Sequence, residues 1–344
     1  MKIFTLLILI ALIASCSAKE KVVNPIDENR SFMISTDVGG YSLKGINLPS
    51  GNIHEEDYYR KFFAEEAKNK ITAIADNGMD VFFFVPEDMK ILVVGKSDML
   101  MKAVIDFAPY GLKPVSITFA NATDAYVLNQ ESNDVSIVDL TVYEVARNIK
   151  CGIQPVGISS YGNQVYITDK VANLVHVIDT RTRAVEESIP VHPGPTFIRF
   201  TDDGKSAIVI SSGVSGTEEN PMKDNAMVTY IDVETRTVSS TLDLGFGQMA
   251  ALDQYPRGFE VTETEWGFVQ TQMGLFRLDL RNPDKIALML RIAYDGIAYN
   301  RVNSELILYT SGDNSEISLA DDSTAEIFQK GKFAGKIFAI YPNN

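Results

Sequence analysis

A ruler of sixteen residues repeats along this chain and restricts its fold more than any single motif. Asp98, Asp139, Asp179, Asp279 and Asp321 each end a short β-branched run. Sixteen residues after each, a new apolar run opens, at Pro114, Pro155, Pro195, Asp295 and Ile337. The aspartates recur at intervals of 41, 40 and 42 where successive copies are intact. A sixth copy is stretched, with 26 residues from Asp232 to Gly258. A fixed period near 40, filled with strand-type runs, is the signature of a β-propeller. A single blade cannot bury both faces of its sheet, so blades must stack in a ring. The chain therefore reads as one closed domain, although 344 residues would also suit two.

Two successive units show the pattern. Pro114–Phe119, Ala125–Asn129, Val135–Asp139 and Glu144–Cys151 are followed by Pro155–Ile158, Val165–Asp169, Leu174–Asp179 and Ala184–Val191. Each run is rich in Val, Ile and Tyr and is bounded by Asn, Asp, Gly or Thr. The aspartate ending the third run is expected to accept backbone N–H groups one or two residues on, closing an Asx turn into the fourth strand. Val165-Tyr166-Ile167-Thr168-Asp169 and His176-Val177-Ile178-Asp179 resemble the YVTN-type β-propeller repeat. Units three and four match it closely, and the others match in spacing and hydrophobicity over residues 31 to 342. The resemblance implies a fold and says almost nothing of function.

The expected architecture is all-β, a seven-bladed propeller of four-stranded antiparallel blades. Blades 2 to 7 are placed at Lys70–Pro109, Pro114–Cys151, Pro155–Val191, Pro195–Leu244, Gly258–Ile292 and Asp295–Lys330. Two remnants are left. Phe32–Ser35 and Tyr41–Leu48 look like second and third strands, and Ile337–Tyr341 stands where a first strand belongs. Joining them makes the seventh blade and removes exposed sheet edges. The last strand of this blade would fall in Asp57–Ala67, where Tyr58, Tyr59, Phe62 and Phe63 also have helical spacing.

The N-terminus indicates a compartment. Lys2 precedes an apolar run from Ile3 to Ile13, too short for a stable span, and then Ala14-Ser15-Cys16. This matches a bacterial lipobox. Residues 1–15 are expected to be a signal peptide, with Cys16 the lipidated first residue of the mature protein, 16–30 a polar tether and 31–344 the propeller. The membrane would then be a partner through the lipid on Cys16. Ser17 in the following position implies sorting to the outer membrane, on its periplasmic or surface face. Cys151 is left without a disulfide partner and reads as a small buried hydrophobe. The formal charge of −14, with no basic cluster, argues against nucleic acid.

In a propeller, the connections between blades and those between second and third strands share one rim, where ligands usually bind. Two neighbouring connections there are long: Gly213–Asn225 and Gly245–Arg257. The second carries Phe246, Met249, Leu252 and Tyr255. Rim residues expected to meet a small polar ligand or a protein partner are Tyr110, Lys113, Gln154, Lys170, His192, Tyr294, Phe246, Tyr255 and Arg257. No cofactor and no metal site is expected. The three histidines, His54, His176 and His192, fall in different places, with His176 the satisfied histidine of a strand. Glu218, Glu219 and Asp224 lack the spacing of a calcium loop. There is no Gly-x-Ser-x-Gly, so no catalytic residue is assigned, although Arg199 on an inner strand could line the channel. Two function classes remain. One is a lipid-anchored binding or scaffold protein of the cell envelope, which the resemblance extends to capture of nutrients such as corrinoids. The other is a periplasmic lactonase- or lyase-like enzyme acting at the channel mouth.

Overall fold

The computed structural model describes residues 30–37, 40–47, 52–53, 58, 69–98, 100–129, 131–213, 225–244, 255–334 and 336–342. Its first three strands are β1 (Arg30–Asp37), β2 (Gly40–Asn47) and β3 (Asn52–Ile53). Blade 2 follows with β4 (Ala73–Asp76), β5 (Asp80–Val85), β6 (Lys90–Gly95) and β7 (Met101–Asp106). Blade 3 holds β8 (Pro114–Phe119), β9 (Asp124–Asn129), β10 (Asp134–Asp139) and β11 (Glu144–Lys150). Blade 4 holds β12 (Pro155–Tyr161), β13 (Gln164–Asp169), β14 (Leu174–Asp179) and β15 (Ala184–Pro190). Blade 5 holds β16 (Pro195–Phe200), β17 (Ser206–Ser211), β18 (Met227–Asp232) and β19 (Thr237–Asp243). Blade 6 holds β20 (Pro256–Val261), β21 (Trp266–Thr271), β22 (Gly274–Asp279) and β23 (Ile286–Leu290). Blade 7 holds β24 (Gly296–Asn300), β25 (Glu305–Tyr309), β26 (Asn314–Asp321) and β27 (Ile327–Ala334). The last strand, β28 (Lys336–Tyr341), pairs antiparallel with β1, so blade 1 runs β28-β1-β2-β3 and the ring is closed by both chain ends. The expected seven four-stranded antiparallel blades are present.

The core lies between blades rather than inside them. Strand alternation sends odd and even residues to opposite faces, and both faces are covered. In β5, Val81, Phe83 and Val85 pack towards blade 1, whereas Phe82 and Phe84 pack towards blade 3. Seven apolar clusters result, each drawing on two adjacent blades. The seam that closes the ring is one of them: Met33, Ile337 and Ile340 of blade 1 pack on Ile307, Ile317 and Phe333 of blade 7.

The Asx turns form as expected: five of the six aspartates accept an N–H two residues on, and Asp232 reaches one residue further. Oδ1 of Asp139 accepts from Thr141 N at 2.8 Å, Asp179 from Arg181 N at 2.7 Å, Asp232 from Thr235 N at 2.7 Å, and Asp279 from Arg281 N at 3.1 Å. Asp98 and Asp321 do the same with Leu100 N and Ser323 N, both at 3.0 Å. The accepted groups lie two or three residues on, because the turn must reverse the chain before its N–H groups point back.

Two boundaries differ from expectation. The inner strand of blade 6 begins at Pro256, not Gly258, which restores the proline-first start of β8, β12 and β16. Proline fits there because the first residue of a strand need not donate to the ladder. The outer strand of blade 1 is Asn52–Ile53, ahead of the expected Asp57–Ala67. The turn residues Pro49-Ser50-Gly51 already mark an early return of the chain. Tyr58 belongs to the core instead: it is buried and meets Phe32 edge-on, with ring centroids 5.9 Å apart. A Cβ on Gly45 would stand 2.6 Å from its ring, so glycine at 45 makes room for it.

Candidate functional site

The propeller has two unlike rims. One carries the connections between blades and those between second and third strands, called here the loop rim. The other carries the hairpins between first and second and between third and fourth strands.

At the loop rim of blade 4, three polar side chains line up across three strands. His176 Nδ1 is 2.8 Å from Ser188 Oγ, and Nε2 is 3.4 Å from Asp169 Oδ2. The carboxylate sets the tautomer: Nε2–H donates to Asp169 and Nδ1 accepts from the serine hydroxyl. Asp169 is fully buried and also accepts from Ile153 N (2.6 Å), Gln154 N (3.1 Å), Val171 N (3.1 Å) and Ala172 N (3.0 Å). Burial works against its anion. The N–H groups of Ala172, Ile153 and Gln154 and the His176 ring outweigh that, and the carboxyl stays below the usual range. Gly152, at φ +77°, makes this possible, since a Cβ there would fall 2.0 Å from Asp169 Oδ2.

Serine, imidazole and carboxylate in contact suggest a nucleophile relay. The repeat argues otherwise. Forty residues earlier the same three strand positions hold Asn129, Ser136 and Asn148, linked in the same order at 2.7 Å and 2.7 Å. In blade 5 they hold Ser211, Thr229 and Thr241. The line-up is a cross-strand tie inherited with the blade. His176 was expected to be a satisfied strand histidine and is one. Asp169, Ser188 and Gly152 were not singled out from sequence, although the 40-residue spacing of Asn129–Ser136–Asn148 against Asp169–His176–Ser188 carried the signal.

The expected rim residues do not converge on one point. Gln154 and Lys170 face each other across the rim of blade 4, with Lys170 N donating to the Gln154 carbonyl at 2.9 Å. Lys113 spans two carboxylates, Glu87 and Glu131, at 3.4 Å each, joining blades 2 and 3. His192 Nε2 donates to the Asn225 carbonyl at 3.0 Å, tying the blade 4–5 connection to the foot of the 213–225 segment. Arg257 lies in β20 and pairs with Asp295 at 2.6 Å; the other oxygen of Asp295 accepts from Ser311 N at 2.7 Å. Tyr255 is partly exposed beside it. Tyr110 leans outwards, its hydroxyl donating to the Val145 carbonyl of β11 at 3.3 Å, so it sits on the flank rather than at the mouth. Tyr294 is only 1% exposed and belongs to the blade 6–7 core, because its ring completes an apolar cluster with Tyr299 and Leu306. Cys16, His54, Phe246, Met249, Leu252, Glu218, Glu219 and Asp224 lie outside the described residues.

Around the channel, Arg199 of β16 pairs with Glu260 of β20 at 3.5 Å, and Thr118 bonds Ser160 at 2.7 Å. These contacts staple neighbouring inner strands. Among the described residues no group of three or more His, Cys, Asp or Glu side chains has a geometry to hold a metal. Cys151 is buried, and burial together with Asp169 pushes its thiol up to about 12. No helix among the described residues is long and apolar enough to cross a membrane.

No protein-family model matches the chain. A segment of 120 residues, 34% of the chain, is 28% identical to Antigen Lp49 of Leptospira interrogans and spans about a quarter (26%) of that antigen's length. The fold is similar to that of Kuenenia stuttgartiensis hydrazine synthase, with a TM-score of 0.60 at 18% identity, covering 72% of this chain and 76% of that one. The second likeness bears on the propeller fold alone.

Proposed function

We propose that this protein is a non-enzymatic binding or scaffold protein of the bacterial cell envelope, held by lipid on Cys16, that docks a partner protein or a small polar ligand on its loop rim. The observation that carries the reading is a rigid apolar tip on that rim. Ile153 and Val171 are 58% and 55% exposed, yet the backbone N–H of each is fixed to the same buried Asp169 carboxylate. Exposed aliphatic side chains on locked turns suit docking, because little entropy is lost when they are covered. The His192–Asn225 contact links this tip to the long 213–225 segment, and Tyr255 stands where the other long connection rejoins the ring. His176 is joined to Asp169 and Ser188 within its blade, and Arg199 to Glu260 between blades. Partial similarity to a bacterial antigen supports an envelope setting.

The test is a pull-down from detergent-solubilised envelope of the source bacterium. It compares the full chain with a variant trimmed at residues 214–224 and 245–254 and with Ile153→Glu. A defined partner recovered by the full chain and lost in both variants is expected. Equal recovery by all three forms would remove the loop rim as the docking surface. For the anchor, a clickable palmitate analogue should label the full chain and not Cys16→Ala; labelling of both would refute lipid attachment at Cys16.

A further inference from the structure

The outer shoulder of blade 7 holds a cleft of about 530 Å3, away from the channel and from the Ile153–Val171 tip. It opens between the connection following β23, at Ile292 and Tyr294, and the rim-side ends of β26 and β27. Six of its seven lining residues have polar side chains, with Ile292 the exception. That volume suits a solute of sugar size.

The chemistry of the lining is one-sided. The Tyr294 hydroxyl is buried and has no hydrogen-bond partner. Thr310 Oγ1 already accepts from Glu316 N at 3.0 Å, leaving its hydrogen to donate. Lys332 is exposed and stands directly across the strands from Glu316. The one carboxylate in the cleft is engaged: Lys330 Nζ donates to Glu316 at 2.7 Å and Ser318 Oγ at 3.4 Å. The Tyr294 and Thr310 hydroxyls thus border the cleft without a committed acceptor, and Lys332, whose charge also lowers the Glu316 carboxyl, adds an exposed ammonium beside them. Tyr294 carries most weight, since its unpaired hydroxyl belongs to a residue that lines the cleft and offers an acceptor a place. Behind Ile292, Gln270 Nε2 donates to that residue's carbonyl at 3.3 Å, while Gln270 Oε1 is buried without a donor. That amide lies outside the cleft; within it, the Asn314 side-chain amide can meet the hydroxyl groups of an occupant.

We propose that this cleft binds a small hydroxylated organic anion of sugar-acid size, whose carboxylate is taken by Lys332, Thr310 and Tyr294. The site is independent of the loop-rim docking surface: trimming residues 214–224 and 245–254 leaves every group in it untouched.

Calorimetric titration of the full chain in detergent tests it, with glucuronate, galacturonate and gluconate as probes and glucose and inorganic phosphate as controls. At least one sugar acid should bind while glucose is silent. Lys332→Gln and Tyr294→Phe should each weaken that binding about tenfold or more, as expected for lost bonds to a charged acceptor. Tyr294→Phe removes an unpaired buried hydroxyl, so its melting temperature should hold or rise while binding falls. A structural role for the hydroxyl would move both downwards. The proposal is overturned if no sugar acid binds at millimolar concentration, if glucose binds as well, if phosphate alone binds, or if both variants keep the original affinity. Persistence of binding in the loop-trimmed chain separates this site from the docking surface.

Discussion

Replacing Asp169 tests whether the blade 4 rim is held as described. In Asp169→Ala, four N–H groups and the His176 ring lose one shared acceptor. Ile153 and Val171 are more than half exposed, so water can replace the carboxylate at their N–H groups. Gln154 and Ala172 are only partly exposed and lose more. Two bonds to a charged acceptor, at about 1.5–3 kcal/mol each, give about 3–6 kcal/mol. The lower half of that range, about 3–4 kcal/mol, is expected, because larger single-site losses are exceptional. Asp169→Asn should cost about 1–2 kcal/mol, since Asn129 serves at the same position one blade earlier. The assay is urea unfolding followed by far-UV circular dichroism and by Trp266, which stands alone of its type in the chain and reports from blade 6. The acid limb adds a sign check. The folded carboxyl lies below its unfolded value near 3.9, so its contribution is present above about pH 4 and is lost as pH falls through the folded value. Asp169→Asn should therefore flatten the loss of stability below pH 4. If Asp169→Ala unfolds within about 1 kcal/mol of the parent, the carboxylate is not what fixes these turns.

Three further outcomes are expected. Cys151, its thiol raised to about 12 by burial, should stay unreactive to Ellman's reagent at pH 8 in the folded protein and react fully in 6 M guanidinium, a contrast read by absorbance. Ile337→Asp places an unpaired charge in the closing seam, where Ile337 is 1% exposed; it should cost about 3 kcal/mol or more and open the β1 edge, giving soluble aggregates by light scattering. The Arg183–Asp124 pair joins blades 4 and 3 at 3.0 Å with side chains 41% and 14% exposed. A double-mutant cycle should give a coupling of about 0.5–1 kcal/mol that shrinks in 0.5 M salt.

The fold was legible because the aspartate ruler is a local matter. An Asx turn needs only the aspartate and the residues just after it, so its spacing survives in the sequence even where strands vary. Ring closure was legible too, as two remnants each lacked what the other supplied. The blade 1 outer strand was not, because two paired residues at Asn52–Ile53 leave no periodic signal, while the aromatic stripe at Tyr58 mimicked one. The rim was read as a set of residue types, and types do not specify direction. Tyr110 and Tyr294 are both aromatics on loop-rim connections, yet one turns out to the flank and the other inward to the core. The cleft at Tyr294 was hidden for a different reason. Its character comes from which donors are left over after Glu316 and Lys330 have paired, and that is a property of the assembled blade.

The two rims also differ in how freely they can be lengthened. On the hairpin rim, Tyr143, Arg183 and Arg236 occupy left-handed positions at φ 57°, 54° and 55° and reach back to the preceding blade, at Asp80, Asp124 and Glu186. Extra residues there would displace both the Asx turn and the interblade contact. On the loop rim of blade 4 the tight turn is capped by one side chain, Asp169, which accepts from Val171 N and Ala172 N. The same position in blade 5 is Ser211, whose buried hydroxyl has no partner, and the long 213–225 segment begins just after it. A serine is too short to gather the N–H groups of a four-residue turn, so nothing in blade 5 specifies a short connection and length there carries little cost. It follows that cutting this segment to the four residues seen at Lys170–Asn173 should be tolerated poorly with Ser211 in place and better with Ser211→Asp. The comparison is the melting temperature of the two trimmed chains, expected to favour the aspartate by several degrees. Equal melting temperatures would show that the cap does not determine the length of the loop.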